Sequence, residues 1–153
     1  MIIEEFDYQE FSENIAKQAR KYIPADLSES DKTYIINIIL NHCNLAGEAL
    51  NQDEEINISA DRASIICQFI GEWAFHKAID LIRSNVPMRL RDEVLEKVSF
   101  TAYEIAKLSI AKNIPMQQMI MLVGVVSRCT PKNQNYSLLM TNKQRTDAET
   151  SSA

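Results

Sequence analysis

Three side chains in this sequence share a spacing that could do chemistry: Glu72, His76 and Asp80 stand at i, i+4 and i+8. On a helix they project from one side. Two carboxylates and an imidazole on such a stripe could ligate a divalent ion if a second helix brought another donor, and His42 and Glu48 are the upstream donors available. Helical bundles that hold paired metals carry Glu-x-x-His on two helices. This chain has two histidines in all and no Glu-x-x-His. The stripe therefore reads first as the solvent-facing edge of a mostly buried helix. A small metal- or ligand-binding bundle using Glu72, His76 and Asp80 is the alternative, and no cofactor is expected.

Nucleophilic chemistry finds less support. His42 precedes Cys43, but neighbouring residues of a helix point about 100° apart and do not form a hydrogen-bonded pair. Cys43, Cys67 and Cys129 lie among apolar neighbours without a CxxC spacing, which suits packed, reduced thiols. No GxSxG or HExxH occurs, and the expectation is that the protein is not an enzyme. Residues 106–123 superficially read as helix-turn-helix, yet the second element offers Met116, Gln117, Gln118, Met119, Ile120 and Met121, too apolar for base edges. Arg83, Arg89 and Arg91 cluster around a turn and read as solvated, with an anion or an acidic partner segment as the other option. A cavity for a small apolar ligand around Trp73, Phe75 and Phe100 is a further possibility that composition does not separate from a filled core.

The elements that would position these groups are helices. Apolar residues fall at three- and four-residue steps in five stretches: 4–23, 31–51, 59–83, 88–112 and 115–128. Pro24 ends the first, and Ser28 or Ser30 caps the second. Asn51–Glu55 reads as a solvated acidic loop, and Ser59 caps the third helix. That helix is apolar around most of its circumference, with Gln68, Glu72, His76, Asp80 and Arg83 forming its only polar stripe, so it belongs at the centre. Ser84-Asn-Val-Pro87 breaks it. In the fourth, Leu90, Val94, Val98, Thr101, Ile105 and Leu108 form one stripe, beside small residues (Ala102, Ala106, Ser109) that permit a close neighbour. The expected fold is all-α: a five-helix, mostly antiparallel bundle with a central apolar helix at about 59–84, one domain over 1–131, and a flexible polar tail over 132–153.

Composition sets the outer bounds. With 153 residues, 46% hydrophobic and 24% charged, the chain is large enough for a core without metals or disulfides. Three glycines are too few for a turn-rich sheet or a phosphate-cradling loop. The net charge of −5 gives no support for nucleic-acid or membrane partners. It is uneven: residues 1–61 carry 13 acids and 4 bases, and the remainder 8 acids and 12 bases. The N-terminal MIIEEFDYQE has neither the basic start nor the apolar stretch expected of a signal peptide, and the longest apolar run, Met119–Val126, falls short of a span. A cytoplasmic protein is expected.

The fifth helix carries the functional expectation. It is apolar beyond one stripe and rich in methionine, whose flexible side chain fits varied surfaces. Such a helix either fills a groove of its own bundle or is covered by another chain. The sequence thus points to a non-enzymatic helical protein that self-associates as a homodimer, or binds a protein partner, through Met116, Met119, Leu122, Val123 and Val126.

Overall fold

A computed structural model of the chain describes residues 1–119 and 121. It is the expected all-α, mostly antiparallel bundle: α1 (Tyr8–Ala19, continued by a 3-10 turn at Arg20–Tyr22), α2 (Glu29–Gln52), α3 (Ala60–Arg83) and α4 (Met88–Ala111). Beyond α4, Met116–Met119 and Met121 are again helical. The Pro115 carbonyl accepts from the Gln118 and Met119 amides, which places the start of this stretch where the sequence predicts it. Leu122, Val123, Val126, Cys129 and the tail at 132–153 lie outside the described residues.

The caps show why the helices begin where they do. Asp7 accepts from the Glu10 amide, Ser28 from Asp31 and Ser59 from Arg62, each satisfying a donor the first turn leaves open. The Asp7 cap starts α1 at Tyr8 rather than at residue 4. The segment before it extends instead, and Ile2 pairs with Ile58 in a parallel bridge. Asn85 takes a left-handed conformation (φ 56°), and the Asn85 and Val86 amides close back on the end of α3. Pro87 then sets the entry to α4.

The position of α3 matches the expectation. It packs most extensively on α2 and also meets α1 and α4. Two apolar clusters share it: one joins its Ala63–Trp73 half to Ile2, Leu50, Ile56, Ile58, Ala102, Ala106 and Met119. The other joins its Ala74–Ile82 half to Ile15, Ala19, Ile35, Ile39, Cys43 and Leu95. The stripe of α4 differs from the expected one. Its small members, Ala102, Ala106 and Ser109, are buried, whereas Leu90 and Leu108 face solvent, because α4 meets α3 along the side where a short side chain lets the backbones approach.

The tightest approach is between α2 and α3. A Cβ built on Gly71 would lie 2.2 Å from Cys43 Sγ and 3.7 Å from Cys43 Cβ; the thiol fills the space a side chain at 71 would need and bonds to the Cys67 carbonyl at 3.3 Å. Gly47 plays the same part between α2 and α1, where an added Cβ would fall 2.5 Å from Tyr8 Cβ. No described helix is long and apolar enough to cross a membrane.

Gly71→Ala should cost about 1–3 kcal/mol in urea unfolding, as overpacking does in filled cores. Combined with Cys43→Ala, which leaves only an ordinary Cβ–Cβ contact, the added cost of Gly71→Ala should vanish. Additive losses in that cycle would show that the thiol is not what Gly71 makes room for.

Candidate functional site

The polar stripe of α3 is not an edge. Every residue from Phe69 to Ala78 is buried; Glu72 is 0% and His76 7% exposed. The expectation of a solvent-facing stripe is thus corrected at Glu72 and His76, because neighbours enclose α3 on all sides over these turns. Asp80, one turn on, is partly exposed. His76 packs edge-on against Phe75 at 5.1 Å between ring centroids. Its Nε2 and the Oδ2 of Asp80 are buried without a hydrogen-bond partner among the described residues. Burial pushes the His76 imidazole down to about 4 and the Asp80 carboxyl up to about 6, each group favouring its uncharged form. Lys77 is buried too, and desolvation lowers its ammonium against the pull of Asp80.

These residues do not assemble into a metal centre. Among the described residues no three His, Cys, Asp or Glu side chains converge. The donors that α2 could have sent are engaged elsewhere: His42 bonds to α4, and exposed Glu48 accepts from Gln52 at 3.3 Å. The apolar-ligand set also separates, with Trp73 and Phe75 in the core and Phe100 on the surface. Two of the three arginines at the α3–α4 turn, Arg83 and Arg91, are occupied as well. Arg83 pairs with Asp26 at 3.2 Å, and Arg91 donates to the Val86 carbonyl at 2.7 Å and lies 5.6 Å over the Tyr34 ring.

The structure shows a different feature between α2 and α4. Their cross-links climb together, Tyr34 with Asp92, His42 with Ser99, and Ala49 with Tyr103, so these two helices run parallel, one on each side of α3. They touch only lightly. Three polar ties hold them at fixed separation. Tyr34 donates to Asp92 at 3.2 Å, Ser99 Oγ and His42 Nδ1 are 2.6 Å apart, and Tyr103 donates to the Ala49 carbonyl at 3.2 Å and to Asp53 at 3.0 Å. Lys107 reinforces the last tie with bonds to Asp53 (3.1 Å) and Glu55 (3.0 Å). The acidic loop predicted to be merely solvated therefore anchors the far end of α4 through Asp53.

Between the second and third ties lies a groove of about 310 Å³. Ala46, Ala49 and Ile70 line it, Leu45 and Phe100 form its lips, and Glu96 and Glu104 flank it. Leu45 is 55% and Phe100 66% exposed. Sequence reasoning missed the groove, although two signals were present. Leu45 interrupts the polar side of α2, and Phe100 stands one turn from an acid in each direction.

The Ser99–His42 pair in its wall invites comparison with a nucleophile and its base. Both residues lie in mid-helix, where backbone amides are committed to carbonyls one turn back. The local backbone offers no pair of free N–H groups for an oxyanion. Burial lowers the His42 pKa, so the ring is neutral at pH 7 and exchanges a hydrogen bond with Ser99 as a structural tie. Cys43 points the other way, into α3, where burial raises its thiol pKa well above the ordinary value.

A pH dependence follows. His76 binds its proton more weakly folded than unfolded, so acid favours the unfolded chain: stability present above pH 6.5 is lost as pH falls toward about 4, by about 2–3 kcal/mol. Asp80, with its raised pKa, acts in the opposite sense below about pH 6, but its partial exposure weakens it. His76→Leu should flatten most of the acid-side decline in unfolding free energy; an unchanged decline would assign it to other groups. Compared with known proteins, the chain matches no described family, and no curated protein or solved structure shows significant similarity to it.

Proposed function

We propose that this protein acts by binding rather than catalysis, as a helical module whose α2–α4 groove receives a helix of another protein. The observation that carries this reading is the pair of lips. Leu45 and Phe100 hold large apolar surfaces in water on both sides of a preformed apolar trough, and covering each contributes about 1.5–3 kcal/mol. A small apolar molecule inside the trough would leave most of both lips wet, whereas a helix laid along it would cover them.

This reading moves the contact surface away from the helical stretch after Pro115. There Met119 is 2% exposed and packs with Trp73, Ala102 and Ala106, and Met116 is partly buried against the same cluster. At these two residues, burial against the chain's own bundle supports looking for the contact surface elsewhere. A cytoplasmic location accords with two free, buried thiols, Cys43 and Cys67.

The test uses a hydrocarbon-stapled helical peptide of about 18 residues, with leucines on one stripe and glutamine elsewhere, titrated into the full chain by fluorescence anisotropy. Saturable binding is expected, and Phe100→Ala or Leu45→Ala should weaken it about tenfold with little change in Tm, since both side chains are more than half exposed. Absence of binding, or equal binding by both variants, removes the groove as the site. Sedimentation equilibrium reads self-association in parallel, and a dimer that Phe100→Ala dissociates would reassign the groove to a second copy.

A further inference from the structure

We propose that the occupant of the α2–α4 groove is a cationic amphipathic helix, with an apolar stripe set between Leu45 and Phe100 and lysines or arginines along its shoulders. The inference rests on the docking role of the groove and adds the chemistry of the partner. Its ground is the charge around the trough. Glu96 and Glu104 stand one turn before and one turn after Phe100, and both line the opening. Glu48 lies one turn beyond Leu45 on the exposed side of α2. Among the described residues, no lysine or arginine lines the groove. Lys107, beside the third tie, is held by Asp53 and Glu55. An apolar helix seated here would bring its shoulders against two carboxylates on α4 and one on α2, partly stripped of water. Lysine or arginine at those positions converts that cost into attraction, and glutamate aggravates it.

The same charges disfavour a second copy. A two-fold axis through Phe100 that set two α4 helices antiparallel would place Glu96 of each chain against Glu104 of the other, with no base of the groove between them. Acidic residues flanking an apolar trough thus oppose this α4-to-α4 pairing while accepting a partner of opposite charge.

Three peptides discriminate, sharing one leucine stripe and carrying lysine, glutamine or glutamate on the shoulders. Anisotropy with the full chain at about 0.05 M salt should show the lysine peptide binding about tenfold tighter than the glutamine peptide, and the glutamate peptide not binding. At about 0.5 M salt the lysine advantage should collapse. In a Glu48→Gln, Glu96→Gln, Glu104→Gln triple variant, the lysine and glutamine peptides should bind alike, with the glutamine peptide unaffected. Equal binding of lysine and glutamine peptides to the unaltered chain, or an advantage that survives the triple variant, overturns the cationic partner while leaving the docking groove standing. Failure of all three peptides removes the groove and the inference together.

Discussion

The fold depends on how closely α2 and α3 can approach at one point. With hydrogen as its only side chain, Gly71 lets the Cys43 thiol sit where a Cβ would be, and that contact fixes both the spacing and the rotation of the two helices. With α3 held so near α2, the broad apolar circumference of α3 is left for α1 and α4 to cover. Gly47 repeats the device against Tyr8 and seats α1 on the other side of α2. A glycine in a helix costs about 1 kcal/mol relative to alanine. Here that cost is offset by close packing along two helix pairs.

The groove is a consequence of the same arrangement. Because α2 and α4 both pack on α3 and run parallel, they diverge above it wherever no side chain is long enough to join them. The ties at Tyr34, His42 and Tyr103 are polar and spaced along α2, so they set the gap without filling it. The gap between the second and third ties is floored by alanines and Ile70, and the large apolar residues beside it, Leu45 and Phe100, point outward. A core helix would have used those residues for burial.

Much of this was legible in the sequence. Ser59, Pro87 and the continuous apolar pattern of 60–83 give the central helix with its ends, because capping and breaking are local chemistry. Periodicity extends the first helix to residue 4 because residues 1–6 carry helix-compatible apolar residues, and only the pairing of Ile2 with Ile58 reveals their use. The polar stripe was misjudged for a related reason. Periodicity identifies which residues share a face but not whether another helix lies over it, and Glu72 and His76 are covered. The groove was the least legible feature of all. It arises from the lateral separation of two helices far apart in the chain, and the only local hints were Leu45 and Phe100, apolar residues in polar settings.

The bridge between Ile2 and Ile58 bears on the order in which the molecule assembles. Ile58 belongs to the connection between α2 and α3, so its position is settled only once those helices have docked and brought Ile56 and Ile58 to the end of the core. Residues 1–3 therefore have no surface to join until the α2–α3 pair exists. Long-range pairing of this kind waits on nearer contacts, since loop closure costs entropy before it is rewarded. The extended segment at the start of the chain lies as a clasp over the end of the α2–α3 hairpin. Its release would open one end of the core.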